Sequence, residues 1–172
     1  MDKKELTKKL ILLDEEISMV LPNSEHIALT IVGGGALILQ DYLNRITLDI
    51  DLIDVYSNEL VPIFEKYDVN IRSNAFCDCM AENYAQRLKK LDIKTRSIDY
   101  YVLSLEDLVI MKLFSDRGKD RDDIRKEEVI KSIDWDLLNK IISDGEADNS
   151  FNERRYKDFL YKYNEYIKEY KK

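Results

Sequence analysis

The chain has 172 residues, enough for one domain or for one core with a small appendage. Two prolines, five glycines and a 45% hydrophobic share exclude low complexity and disorder, and no stretch reaches the roughly 18 apolar residues of a membrane span. A formal charge of −7 argues against a large non-specific grip on a nucleic-acid backbone and leaves room only for a local basic groove.

The chain opens with "MDKKELTKKLILLDEEI". Acids interrupt its apolar run and no small-residue cleavage site follows, so it reads as a helix rather than a signal peptide. Leu6, Leu10, Leu13, Ile17 and Val20 form its stripe. "LPNSEH" ends it, and "IALTIVG", 27–33, is a short β-branched run that reads as a buried strand. "GGALILQDYL" returns to helix formers, giving a strand, a glycine turn and a helix. "ITLDIDLI", 46–53, alternates as a strand, with Leu48, Ile50 and Leu52 on one face and Thr47, Asp49 and Asp51 on the other. "NELVPIFEKY" predicts a helix with proline in its first turns. Residues 69–91 are ambiguous, and "YAQRLKKLDI" fits a strand or a helix. "KTRSIDYYVLS" predicts a strand. Ser104, with Asp107 three residues on, opens a helix over "SLEDLVIMKLFSD". "KDRDDIRKEEVIKS" predicts another helix, led by acids. Asp134 caps "WDLLNKIIS", with Gly145 just past its end. From Phe151 to Tyr170 a long helix carries Tyr156, Phe159, Tyr163, Tyr166, Ile167 and Tyr170 as its stripe. The front half therefore mixes strands and helices and the back half is helical, an α+β or α/β architecture. The only cysteines, Cys77 and Cys79, supply too few ligands for a metal centre and read as a reduced pair in a cytoplasmic protein.

The chemistry concentrates in "VGGGALILQDYLNRITLDIDLID", 32–54. Side chains two apart on a strand point the same way, so Asp49 and Asp51 project together with Thr47 beside them. Two like charges so close raise one pKa or demand a cation. Oxygen ligands on a rigid strand suit Mg²⁺, which takes one or two carboxylates plus substrate phosphates, the style of phosphoryl and nucleotidyl transfer. Upstream, Gly33-Gly34-Gly35 between strand and helix exposes backbone N–H groups that phosphate can approach, because no Cβ intervenes. The spacing is neither the dinucleotide fingerprint nor the Walker loop. The bland alternative is a tight turn followed by a solvated acidic face. Together and in this order, the two features favour a phosphate-and-metal site.

These residues, "GGGALIL" followed by Arg-Ile-Thr-Leu-Asp-Ile-Asp-Leu, resemble the DNA polymerase β-type nucleotidyltransferase superfamily. Within it the chain is similar to small bacterial nucleotidyltransferases grouped with abortive-infection, type IV toxin–antitoxin systems. A later matching segment, "EDLVIMKLFSDRGKDRDDI", supplies Lys112, Leu113, Arg117, Lys119, Asp120 and Asp123. The resemblance implies an α+β nucleotidyltransferase fold, a small mixed sheet flanked by helices with a helical C-terminal section. Residues 1–103 would form the core with the N-terminal helix, and 104–172 a helical section packed on it. It implies NTP as substrate and Mg²⁺, in a one- or two-metal site, held by Asp49 and Asp51. Gly34, Gly35, Arg45 and Thr47 would meet the nucleotide phosphates. Lys112 would neutralise phosphate charge, and Asp120 would orient it or assist the acceptor. A third metal-binding acid is expected from a later strand, with Asp99 ranked ahead of Asp92. The acceptor would be RNA such as a tRNA end, a protein, or a small molecule as in antibiotic-modifying relatives. A cognate antitoxin is an expected partner, and a membrane is not. A non-catalytic nucleotide- or partner-binding module of the same fold is the alternative.

Other residues read more plainly. The plainer reading of Lys112 is a lysine whose stem packs while its amine reaches solvent, and that of "RGKDRDD" is an acid-led helix start. His26, the only histidine, sits in a polar turn and reads as solvated. Trp135 reads as a core anchor. The tyrosine stripe reads as packing rather than base stacking, and the terminal lysines, offset by acids, as a solvated face.

Overall fold

The computed structural model describes residues 1–21, 26–54, 57–71, 79–148 and 152–171. The chain divides into two compact units, residues 1–75 with 88–103, and residues 76–87 with 104–172. Segment 76–87 thus belongs with the helical unit, although the sequence division grouped it with the core. Among the described residues no helix is long and apolar enough to cross a membrane.

The first unit is built on a five-stranded mixed sheet of order β3-β2-β1-β5-β4. Its strands are β1 (Ile27–Val32), β2 (Ile50–Leu52), β3 (Val69–Asn70), β4 (Lys89–Lys90) and β5 (Ile98–Val102). β1 runs parallel to β5 from Ile27↔Ile98 to Ile31↔Val102, and antiparallel to β2 at Ile31↔Leu52 and Val32↔Asp51. β2 runs parallel to β3, and β4 closes the other edge antiparallel to β5. Leu29, Ile31, Ile50, Leu52, Ile98, Tyr100 and Val102 share one face and are buried. Helix α1 (Lys3–Ile17) lies on that face: buried Tyr100 donates its hydroxyl to the Leu10 carbonyl at 2.8 Å. A capping box between Asp2 and Glu5 starts α1. Asp14, buried within it, accepts from the Arg96, Ser97 and Ile98 amides at 2.7, 2.9 and 2.9 Å, which fixes the entry of β5. Helix α2 (Gly33–Leu39) follows β1, and α3 (Val61–Lys66) carries Pro62 in its first turn as the sequence predicts.

Two expectations in this unit are corrected. Val20 is off the stripe and 52% exposed, because α1 ends at Ile17 and a tighter turn, Val20 N–H to Ile17 carbonyl at 3.0 Å, rotates it outward. The strand over 46–53 contracts to Ile50–Leu52, and Leu48 is 81% exposed instead of joining Ile50 and Leu52. Among the described residues no strand pairs with those before Ile50. Thr47 is instead pinned through its amide to the Met1 carbonyl at 2.9 Å, so the pleat does not extend back to Leu48. The ambiguous 84–90 stretch proves to be both a 3-10 turn (Tyr84–Arg87) and the short β4.

The second unit holds α4 (Leu105–Phe114), α5 (Gly118–Ile124), α6 (Glu127–Ser132), α7 (Trp135–Ser143) and α8 (Glu153–Tyr170). Ser104 caps α4 and Asp134 caps α7. The single helix expected over "KDRDDIRKEEVIKS" breaks in two, because Lys126 adopts an extended backbone (ψ 139°) between α5 and α6. The tyrosine stripe packs: Phe159 stacks on Phe114 with centroids 4.1 Å apart, Tyr166 donates to the Ile124 carbonyl at 2.5 Å, and Trp135 leans on Tyr166. Arg87 makes a two-point pair with buried Asp107 at 2.8 and 2.9 Å and a third contact with Glu146 at 2.8 Å, anchoring the 79–87 segment within this unit. Cys79 is buried and accepts from Arg155 at 2.5 Å, while Cys77 lies outside the described residues.

Candidate functional site

β1 ends at Val32 and the chain must turn at once into α2. Gly33 makes that turn with φ +67°, a left-handed conformation that side chains rarely adopt. The register Val32↔Asp51 brings Asp51 to the same end of the sheet. A Cβ built on Gly33 would lie 2.6 Å from Asp51 Oδ2. One built on Gly34 would lie 2.5 Å from Arg45 Nη2. At Gly35 the nearest atoms are Ile31 Cγ2 at 3.8 Å and the Asp49 carbonyl oxygen at 3.9 Å, ordinary contact distances. The glycine run therefore meets, in order, the Asp51 carboxylate, the Arg45 guanidinium and the Asp49 main chain.

The segment leading into β2 is held from behind. Thr47 is buried, with Oγ1 3.4 Å from the Asp49 carbonyl oxygen and 3.5 Å from Asp49 Oδ1. Arg45 donates through Nη1 to the Ile46 carbonyl at 2.8 Å, which folds the guanidinium back along its own loop. Asp49 is exposed and Asp51 half-buried. From the neighbouring strand, Asn70 donates through Nδ2 to Asp51 Oδ1 at 2.8 Å.

Of the sequence-predicted residues, Gly34, Gly35, Arg45, Thr47, Asp49 and Asp51 gather at this end of the sheet. Asp99 lies elsewhere on it. It stands opposite Ala28, four residues along β1 from Val32, about 13 Å at ~3.3 Å per residue, and forms an ion pair with Lys90 at 2.8 Å. Asp92 and His26 are exposed. Among the described residues no group of three or more His, Cys, Asp or Glu side chains is arranged to hold a metal ion.

Lys112 and Asp120 belong to the second unit. Lys112 is buried, and its ammonium donates to Asp120 at 2.6 Å and Asp123 at 2.8 Å, so the amine does not reach out to solvent. Burial drives the Asp120 carboxyl upward, but Lys112, the Ser115 hydroxyl at 2.7 Å and Arg117 together hold it below the ordinary range.

Sequence reading named Gly33 in the glycine run but assigned only Gly34 and Gly35 to the nucleotide, and it passed over Asn70 and Asp54. Asn70 carried no signal, since only strand pairing brings it to Asp51. Asp54 falls outside the Asp-x-Asp alternation. Its carboxylate accepts from the Thr30 amide, and from the Thr30 hydroxyl at 3.1 Å. Burial pushes its carboxyl up although the Thr30 bonds pull it down.

The donor set fits a hard divalent cation. Asp49 and Asp51 offer only oxygen, Asp51 Oδ2 lies 2.6 Å from where a Cβ on Gly33 would sit, and two carboxylates leave ligand positions for water and phosphate. The family model described as "Nucleotidyltransferase of unknown function (DUF6036)" matches residues 8–171. No curated protein and no solved structure matches the chain.

Proposed function

We propose that this chain, which belongs to the DUF6036 family of nucleotidyltransferases of unknown function, transfers a nucleoside monophosphate from an NTP to an acceptor and releases pyrophosphate. The observation that carries the reading is the meeting of Asp51 and Arg45 with Gly33 and Gly34 at one end of the sheet. Asp49 and Asp51 would hold Mg²⁺, which when bound neutralises phosphate charge and polarises the α-phosphoryl group. Arg45 offers a planar guanidinium to phosphate oxygens. Gly34 and Gly35 let the polyphosphate approach the main chain, and Thr47 holds the loop that presents Asp49. The acceptor oxygen bonds to the α-phosphorus as the bond to the β-phosphate bridge breaks, and the acceptor proton passes to water. Catalysis of this kind rests on position and charge rather than on a side-chain nucleophile. A macromolecular acceptor, an RNA end or a protein, follows from the toxin-like order of motifs.

Incubation with each labelled NTP, Mg²⁺ and cell extract, with RNA, protein and small molecules then separated, tests the reading. Wild type labels one class, and Asp49→Asn lowers incorporation about 100-fold or more. Equal turnover in the variant removes the mechanism. One observation favours a second reading, a nucleotide-binding module without turnover: Asp99, the expected third acid, is paired with Lys90. Calorimetric NTP binding with no pyrophosphate produced against any acceptor class would support it.

A further inference from the structure

We infer that Asn70 is a positioning residue for the cation held at Asp51, an inference that rests on the metal reading above. β2 and β3 run parallel with Asp51 directly opposite Asn70. Side chains opposite one another in such a pair stand on the same face about 4.8 Å apart, and the Asn70 amide spans that gap to Asp51 Oδ1 at 2.8 Å. A carboxylate only accepts, so the amide must present its NH₂ group there, and its orientation is fixed by chemistry.

The two Asp51 oxygens are placed by different neighbours: Oδ1 accepts from Asn70, and Oδ2 is the atom a Cβ on Gly33 would strike at 2.6 Å. The carboxylate plane is thereby set with one oxygen toward the glycine turn, where the polyphosphate would lie. An amide donor at this place orients the carboxylate, as the outer partners of metal ligands do. Two-residue β3 is short for an edge strand. Asn70 is its last residue, directly opposite Asp51.

The test is Mn²⁺ binding, followed by calorimetry and by the electron paramagnetic resonance of free Mn²⁺, with and without a non-hydrolysable ATP analogue. Asn70→Ala and Asn70→Leu are compared with wild type, Asp51→Asn and the Asp51→Asn/Asn70→Ala double variant, each checked for a cooperative thermal transition. Leucine keeps the branched shape and the number of heavy atoms while removing the donor, so a purely structural role would tolerate it. The expected result is a loss of about 10-fold or more in Mn²⁺ affinity for both Asn70 variants. In the Asp51→Asn background, Asn70→Ala should add no further loss, since it acts through Asp51. Wild-type affinity in a folded Asn70→Leu, alongside a large loss in Asp51→Asn, overturns the role of Asn70 and leaves the metal site standing. Equal affinity in wild type and Asp51→Asn, or no Mn²⁺ binding by wild type, overturns the metal reading and this inference with it.

Discussion

Gly33 and Asp51 constrain each other. The left-handed backbone at Gly33 and the carboxylate oxygen where a Cβ would sit are two separate reasons for glycine at one position. Gly33→Ala is expected to cost about 1–2 kcal/mol for the backbone alone, read as a lower urea midpoint, and to displace the Asp51 carboxylate. Gly35→Ala, with only ordinary contacts at 3.8 and 3.9 Å, is expected to leave stability unchanged or slightly raised. Equal losses in the two variants would contradict this geometry. Asp54 makes a second residue-scale prediction. Its folded carboxyl is raised above the ordinary 3.8 by burial, so the folded state holds the proton more tightly than the unfolded chain. Its contribution to stability is therefore fullest below 3.8 and is lost as pH rises through the folded value. Urea midpoints of Asp54→Asn relative to wild type should climb between pH 4 and pH 7, and a flat difference would contradict the assignment.

At the scale of elements, the Lys112–Asp120–Asp123 triad is the joint between α4 and α5. Removing the cation takes the shared ion-pair partner from buried Asp123 and half-buried Asp120, so Lys112→Met is expected to cost about 3 kcal/mol at neutral pH. Asp120 is held below the ordinary 3.8, so its stabilisation is present above that value and is lost as pH falls through the folded one. The wild-type advantage over Lys112→Met should accordingly shrink toward low pH, as chemical denaturation across pH would show. The phosphate-neutralising role that the resemblance gives Lys112 has a separate readout. Turnover measured where Lys112→Met is still folded should drop further than its folded fraction. The same scale explains which expectations went astray. Alternation over 46–53 was legible, but a pleat persists only where a neighbouring strand pairs with it. Thr47 bonds instead to Met1, and Leu48 turns outward. One helix became α5 and α6 because nothing in the local pattern marks the extended backbone at Lys126.

For the whole molecule, charge makes a further prediction. At −7 net, the protein should bind generic single-stranded RNA weakly, no tighter than about 10⁻⁴ M at physiological salt. A fluorescence-anisotropy salt series should give a shallow slope, and tight binding with a steep slope would point to a basic groove unlike the average surface. The class of the fold, the glycine turn and the Asp-x-Asp pair were written locally. Each depends on residues close in sequence: β-branched runs, a glycine after a strand, carboxylates two apart. Those features, with the family resemblance that their order carries, were enough for the sequence by itself to point to an α+β fold of a nucleotidyltransferase family. Only the tertiary structure decided that Gly33 faces Asp51, that Arg45 covers Gly34, that Asn70 holds Asp51, and that Asp99, on β5, is paired with Lys90 of β4. Those facts follow from strand order and register, which are set by burying one face of a sheet drawn from separated segments, and no local pattern contains that information.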